Sequence, residues 1–302
     1  MKNSKKFTVI ILFLLVFSIS LPIILPKIQI RKESYGANAI PFTPVPAKQS
    51  LQLETFQIPT PTLQPTFSPQ ANTNASVNST KVTKIACGQS NWSGYLYTPP
   101  ANTAQTIASG NWTVSTMTCG DTSEDKEGLS QWVGIDGNSP VSWIAQVGSY
   151  DMCQNGTPEY FAWTEAYPKP FVGSIGSQYA VKPGDQFSAT INMTSIGNFQ
   201  TKMTDTTQGW SYQTPLTFGS NYTPVANGEM ILEDEGFYTN QPLPSFTQEP
   251  FTNNMYSINN STPAPIENGP GLQCLYVDQN GIVKDNTSSL TGSNFTISWT
   301  HS

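Results

Sequence analysis

Short runs of alternating apolar and polar residues follow one another from about residue 84 to the end of the chain, interrupted by Gly, Pro, Asn and Asp. Alternation with a period of two is typical of β-strands that bury one face. The runs that fit this pattern best cover residues 91–97, 111–117, 129–135, 142–148, 159–167, 186–193, 228–235 and 294–300. Within this part of the chain, no run of 12 or more residues has helical spacing of its apolar positions. We therefore predict an all-β fold, an antiparallel two-sheet β-sandwich with one core.

Two of these runs place acidic side chains on one face, because successive side chains of a strand point to opposite faces. One face of the 159–167 run carries Phe161, Trp163, Glu165 and Tyr167. One face of the 228–235 run carries Glu229, Ile231, Glu233 and Glu235. The first face predicts a binding groove. Carboxylates on the second face repel each other, so that face is expected to be partly wet or to hold a carboxyl with a raised pKa.

The start of the chain predicts export. Three lysines precede about twenty mostly apolar residues, which is the length of a membrane span. We expect residues 1–26 to be a signal peptide or an N-terminal membrane anchor, and either would place the rest of the chain outside the cytoplasm. Residues 27–83 are rich in Pro, Thr, Ser and Gln, which predicts an extended linker or a propeptide. Residues 84–302 then form the folded domain.

The charge of this domain argues against nucleic acid as a partner. From residue 81 to the end, seven lysines and no arginine face eighteen acidic residues, a net charge of -11 at neutral pH. Such a surface repels phosphate backbones and offers no basic stripe.

The cysteines agree with export. Cys87, Cys119, Cys153 and Cys274 are widely spaced and contain no C-x-x-C pair of the kind used for zinc or redox chemistry. Two disulfides can form, in any of three pairings.

The available side chains limit the chemistry. His301 is the only histidine and stands next to the end of the chain. Nucleophiles activated by histidine and zinc sites that use histidine are therefore not expected. Carboxylates, amides and aromatic residues remain for acid–base work. Gln146, an amide within the apolar run 143–147, would on its own be interpreted as a structural side chain that satisfies its hydrogen bonds locally.

Six motifs taken together resemble the glutamic peptidases, or eqolisins, which are secreted acid endopeptidases. The motifs occur in family order: SNWSGY (90–95), WVGIDG (132–137), AQVG (145–148), AWTEAYP (162–168), KPGDQ (182–186) and EMILEDE (229–235). The resemblance implies a β-sandwich of the concanavalin-like or lectin-like jelly-roll type. It covers most of residues 88–240.

The resemblance also implies roles for individual residues. The family's catalytic glutamine falls on Gln146 and its catalytic glutamate on Glu233. Positions that line or support the substrate cleft fall on Trp92, Trp132, Asp136 and Glu165, and Trp163 and Tyr167 share a strand face with Glu165. No metal and no cofactor is implied. The chain departs from the family pattern at Met230, at Thr164 and at Glu235–Gly236, where an aromatic residue, a tyrosine and a Phe-Glu pair are common.

The resulting expectation is an exported, monomeric acid endopeptidase that cleaves polypeptides. Glu233 would activate water and return the proton to the leaving amine, and the NH2 group of Gln146 would stabilise the tetrahedral oxyanion. Two alternatives remain open from the sequence. One is a glycoside hydrolase that uses two carboxylates such as Glu165 and Glu233. The other is a non-catalytic module that binds a cell wall or sugars through its aromatic face.

Overall fold

A computed structural model describes residues 82–120, 127–137, 143–169, 174–219, 222, 227–236 and 242–300. These residues form twenty strands and one 3-10 turn, Ile266–Asn268. The strands are β1 Val82–Thr83, β2 Cys87–Ser90, β3 Trp92–Tyr97, β4 Gln105–Thr113, β5 Met117–Thr118, β6 Gly128–Asp136, β7 Ile144–Gln154, β8 Thr157–Tyr167, β9 Gln186–Ser195, β10 Asn198–Asp205, β11 Trp210–Thr217, β12 Gly228–Asp234, β13 Ser245–Phe246, β14 Glu249–Ile258, β15 Ala264–Pro265, β16 Gln273–Gln279, β17 Ile282–Val283, β18 Asp285–Thr287, β19 Leu290–Thr291 and β20 Phe295–Trp299.

Two large sheets confirm the predicted β-sandwich. The front sheet has the strand order β17-β16-β3-β12-β6-β7-β8, with β2 paired to β16. The back sheet has the order β11-β10-β9-β4-β14-β20-β18, with β15 paired to β14. Neighbouring strands are antiparallel except for β2 and β16, which run parallel and place Cys87 opposite Cys274.

Two disulfides cross-link the described strands. Cys87 is bonded to Cys274, which joins β2 to β16. Cys119 is bonded to Cys153, which joins the segment after β5 to the end of β7. The structure therefore selects one of the three pairings that the sequence left open.

Alternation divides the front sheet into a core face and an outer face, as predicted. Val133, Ala145, Val147 and Ala162 point into the core between the sheets. On the outer face, Trp132, Ile144, Trp163 and Ile231 form a second apolar cluster. All nine residues of β6 are buried, because the core covers one face of this central strand and the outer cluster covers the other.

Several strands differ from the sequence-based expectation. The predicted 111–117 strand is instead the end of β4 and the short β5, and β4 begins earlier, at Gln105. The sequence patterns did not single out β10, β11, β14 or β16. The buried face of β10 includes the polar residues Thr201 and Asp205, and no residue of β11 is fully buried, which weakens the apolar signal although the strands are well paired.

The segments predicted for residues 1–26 and for most of residues 27–83 lie outside the described residues. Within the described part of the chain, no helix is long and apolar enough to cross a membrane.

Candidate active site

A cavity of about 830 Å³ opens on the outer face of the front sheet. Six of the eight site residues predicted from the sequence line it: Trp92, Gln146, Trp163, Glu165, Tyr167 and Glu233. Other lining residues include Asn91, Tyr150, Glu235 and Leu275. Carboxyls, amides and several aromatic rings therefore meet in one cavity, and the described lining contains no lysine, arginine or histidine.

The strand register explains how these side chains come together. Across β8, β7, β6 and β12, three rows of residues face the cavity side. The first row contains Glu165, Gln146, Gly134 and Glu229. The second row contains Trp163, Gly148, Trp132 and Ile231, and the third contains Phe161, Tyr150, Ser130 and Glu233. Gln146 and Glu233 thus lie on opposite sides of β6 and two rows apart, with Trp132 in the row between them.

Gln146 is held by an acidic neighbour. Its side chain is buried, and Nε2 donates to Oε2 of Glu165 at 2.6 Å. Burial raises the pKa of Glu165, and the hydrogen bond from Gln146 partly offsets that effect. An amide nitrogen has two hydrogens, so this contact leaves a second donor on Gln146.

Two donors hold the half-buried carboxyl of Glu233. Nδ2 of Asn91 donates to Oε1 at 2.9 Å, and Nε1 of Trp132 donates to Oε2 at 3.2 Å. Burial raises the pKa of Glu233 well above its usual value, the charge of Glu235 raises it further, and the indole of Trp132 acts in the opposite direction. The carboxyl is therefore oriented, and it is a stronger base than a solvated glutamate.

Trp132 lies beneath the cavity. Its side chain is fully buried, and the indole meets that of Trp92 edge to face at 5.1 Å. A Cβ added to Gly134 would come within 2.7 Å of the Trp132 ring, and one added to Gly148 would come within 2.2 Å of the Gln131 carbonyl oxygen. The backbone and the Trp132 side chain of β6 therefore occupy the space beside Gly148.

Asp136 is also fully buried and does not line the cavity. The hydroxyl of Tyr222 donates to its carboxylate, and its backbone N–H donates to the Asn227 carbonyl at 2.8 Å. The charge of Asp136 adds to burial in raising the pKa of Glu229. These residues form a buried polar group at the end of β6 and the beginning of β12, so Asp136 and Trp132 are placed to support the cavity from below.

Sequence reasoning did not assign Asn91, Tyr150 and Ser130. Asn91 lies inside the SNWSGY motif, which was a signal for it. Tyr150 shares a strand face with Gln146, and Ser130 shares one with Trp132, so alternation could have indicated both. The acidic face of the 228–235 run was expected to be partly wet or to hold a carboxyl with a raised pKa. Both features occur, since Glu235 is exposed and burial raises the pKa of Glu229. Within the described ranges, no three His, Cys, Asp or Glu side chains are grouped in a way that could hold a metal ion.

Known proteins resemble this chain in sequence. A sequence model of the Peptidase A4 family matches residues 90–299. Aspergillopepsin-2 from Aspergillus niger is 27% identical over 233 residues, which covers 70% of this chain and 77% of that protein.

Solved structures share the fold. Scytalido-glutamic peptidase bound to a peptide-based transition-state analogue superposes with a TM-score of 0.57 at 21% identity, covering 70% of this chain and 98% of that chain. SCP-B, a member of the Eqolisin family of peptidases in a complex with a tripeptide, superposes with a TM-score of 0.55 at 20% identity and the same coverage. These likenesses concern the β-sandwich.

Proposed function

Because the chain belongs to the Peptidase A4 family, the glutamic endopeptidases, we propose that it is an exported acid endopeptidase in which Glu233 and Gln146 carry the reaction. The observation that supports this proposal most directly is the shared cavity, where an oriented carboxyl and an oriented amide flank Trp132. Polypeptide segments are the proposed substrates, and no cofactor is required by the scheme.

Glu233 acts as the base. A water molecule between the scissile carbonyl and Glu233 gives up a proton to the carboxylate as its oxygen attacks the carbonyl carbon. Asn91 and Trp132 each occupy one oxygen of Glu233, which fixes the carboxyl while leaving lone pairs for the incoming proton. When the C–N bond breaks, the same proton passes from Glu233 to the leaving amine.

Gln146 stabilises the charge that develops on the carbonyl oxygen. One hydrogen of its amide is donated to Glu165, and the other is directed to the oxyanion. An amide does not titrate, so this donor is present at any pH. Glu165 is thus the residue that orients Gln146.

The aromatic side chains of the cavity wall are the proposed contacts for the substrate. Trp163 shares the wall with Tyr167, which is 44% exposed, and with Trp92. Flat apolar rings with polar edges bind extended peptides through both contact area and hydrogen bonds. Trp132 and Asp136 support this wall without touching substrate, since both are fully buried.

We also propose an organisation for the whole chain. Residues 1–26 direct export or anchor the chain, residues 27–83 form a linker or propeptide, and residues 84–302 form a monomeric catalytic domain. The two disulfides are consistent with an oxidising compartment outside the cytoplasm.

Cleavage of denatured casein and of a peptide library across pH 2 to 7 tests this function. We expect Gln146→Ala to lower kcat about 100-fold to 1000-fold, as for the loss of one oxyanion donor, and Glu233→Gln to remove measurable cleavage. Gln213→Ala and Glu159→Gln make the same chemical changes at exposed positions outside the cavity and should keep full activity. Full activity in either cavity variant would refute the proposed roles.

A further inference from the structure

Glu235 presents a carboxyl to the cavity, two residues after Glu233. Its backbone N–H donates to the Gly128 carbonyl at 3.1 Å, and Oγ of Ser130 donates to its Oε1 at 2.6 Å. The side chain is nevertheless exposed, so the other oxygen, Oε2, is open to the cavity. Ser130 therefore holds the carboxyl in place and leaves one oxygen for a ligand.

The hydroxyl of Tyr150 reaches the same point of the sheet. A Cβ added to Gly128 would lie 2.9 Å from this hydroxyl, so the missing side chain at Gly128 gives the phenol its space. Phe161 packs against the Tyr150 ring, with centroids 4.9 Å apart. Because the backbone of Glu235 is bonded to Gly128, the phenol and the carboxyl meet there. Among the described residues, neither Oε2 of Glu235 nor the Tyr150 hydroxyl has a hydrogen-bond partner.

The carboxyl of Glu235 is uncharged in acid. The titratable groups that face it are Glu165 of β8, Glu233 and Asp234 of β12 and Tyr150 of β7. Burial raises the pKa of Glu235 to about 7 although part of its side chain faces the open cavity. The hydrogen bond from Ser130 opposes this rise, and the charge of Glu165 adds to it.

The phenol of Tyr150 is uncharged as well. Burial raises its pKa, and the charges of Glu235, Glu233 and Asp151 add to that rise. Below about pH 6 the carboxyl and the phenol thus present two O–H donors and no charge. Oε1 of Glu235 also keeps a second lone pair beyond the one that Ser130 uses.

A side chain of the substrate is the part that can reach these groups. The Tyr150 hydroxyl lies beside the backbone of Gly128, at the level of the sheet itself. Main chains in layers stacked on a sheet lie about 10 Å away from it. The main chain of an extended substrate would therefore pass above this point, and only a side chain would extend down to it.

The hydrogen-bonding groups match a primary amide. The O–H of a protonated carboxyl donates to an amide oxygen, and its carbonyl oxygen accepts from the amide NH2 group. The Tyr150 hydroxyl supplies a further donor to the same oxygen. An apolar side chain would leave these buried or half-buried groups without partners, and a cation would meet no negative charge from Glu235.

We infer that Glu235 and Tyr150 form a specificity subsite that binds the side-chain amide of a substrate glutamine close to the scissile bond. This inference rests on the proposed function, because the scissile bond is placed by Glu233, which lies about 7 Å along the same strand face from Glu235. The resemblance to the family implied a phenylalanine at position 235, and its side chain has no polar atom. The subsite is therefore particular to this chain.

Peptide cleavage by the full chain at pH 4 tests the subsite. The substrates share one capped sequence that the protein cleaves, and the residues around the scissile bond are replaced one at a time by glutamine, methionine or lysine. Methionine has nearly the length of glutamine but no amide. We expect one position at which kcat/KM is about ten-fold higher for glutamine than for methionine, as for two hydrogen bonds, and at which lysine is cleaved more slowly than glutamine.

Variants assign the preference to the two side chains. Glu235→Leu should bring the glutamine-to-methionine ratio to about one, and Tyr150→Phe, which keeps the ring, should lower it part of the way. Glu235→Gln keeps a donor and an acceptor and should retain most of the ratio. Glu159→Gln changes an exposed carboxyl outside the cavity and should leave the ratio as it was.

The outcomes separate this inference from the proposed function. A ratio near one at every position, in a parent chain that cleaves the peptides, overturns the subsite while the peptidase function stands. Faster cleavage of the lysine peptide at pH 4 also overturns it, since Glu235 would then carry a charge, and so does an unchanged ratio in Glu235→Leu. Absence of cleavage of every peptide refutes the function itself. Each ratio compares two substrates on one protein, so partial unfolding of a variant cancels.

Discussion

Gly134 leaves the space that the Trp132 indole occupies beneath the cavity. Gly134 stands opposite both Gln146 and Glu229, and a methyl group there would meet the Trp132 ring at 2.7 Å and the Glu229 carboxyl at 3.0 Å. Because Trp132 donates to Glu233, a displaced ring would also release the proposed base.

We therefore expect Gly134→Ala to destabilise the fold by about 1–3 kcal/mol, as for other overpacked sites, and to lower kcat/KM more than the stability loss explains. Gly88→Ala is the matched control, since an added Cβ there would find only Leu275 at 3.9 Å. Urea unfolding and peptide cleavage would be measured on both. If Gly134→Ala kept full activity, the link between the Trp132 ring and Glu233 would be wrong.

At the scale of elements, β2 brings Asn91 to the site. This short strand pairs in parallel with β16, and the disulfide between Cys87 and Cys274 fixes its beginning. Asn91 follows directly after β2 and donates to Glu233 across 142 positions of sequence. The disulfide therefore stabilises the segment that orients the base, as well as the fold.

Removing one disulfide or the other should lower the free energy of unfolding by different amounts. The Cys87–Cys274 bond spans 187 residues and the Cys119–Cys153 bond spans 34. In the chain-entropy description, the longer loop contributes about 1.5 kcal/mol more to the free energy of unfolding. Paired Cys→Ala variants, compared by urea unfolding, should show the larger loss for Cys87 and Cys274. The reverse order would mean that local packing, not loop length, sets the contribution.

At the scale of the whole molecule, buried carboxyls make the free energy of unfolding depend on pH. Burial raises the pKa of Asp151 and of Asp234 to about 7 and that of Asp285 to about 6. Their ordinary value is 3.8. The folded state therefore binds these protons more tightly than the unfolded state does. The resulting stability is fully present below about pH 4 and is lost as the pH rises towards 7.

We expect the urea midpoint to fall between pH 4 and pH 7.5. Asp151→Asn should flatten this dependence of the urea midpoint on pH, because an asparagine at this fully buried position has no proton to lose. Ser115 and Gln131 remain as polar partners for its side chain. The difference in the free energy of unfolding should be of the order of a few kcal/mol. Glu159→Gln serves as the exposed control. A midpoint that stayed constant or rose with pH would contradict the assignment of these carboxyls.

The two pH effects act in opposite directions. Glu233 needs the pH to rise before it can accept a proton, while the fold loses stability as the pH rises. Protonation of Glu233 therefore limits activity as the pH falls, and the loss of protons from buried carboxyls limits stability as the pH rises.

Sequence alone determined the features that depend on neighbouring residues. Alternation assigned Gln146, Glu165 and Glu233 to strand faces, because side chains of a strand point to opposite sides whatever the partner strand is. The same rule predicted the all-β fold and the aromatic wall of the cavity. The same rule did not detect β10, whose buried face includes Thr201 and Asp205, or β11, which has no fully buried residue.

Only the tertiary structure decided which distant residues meet. The pairing of Cys87 with Cys274, the hydrogen bond from Asn91 to Glu233 and the contact of Ser130 with Glu235 all depend on strand order and register. The burial of Asp136 and Trp132 likewise depends on what covers each strand. Periodicity along one strand contains no information about its neighbours in the sheet, so these contacts follow from packing of the whole domain.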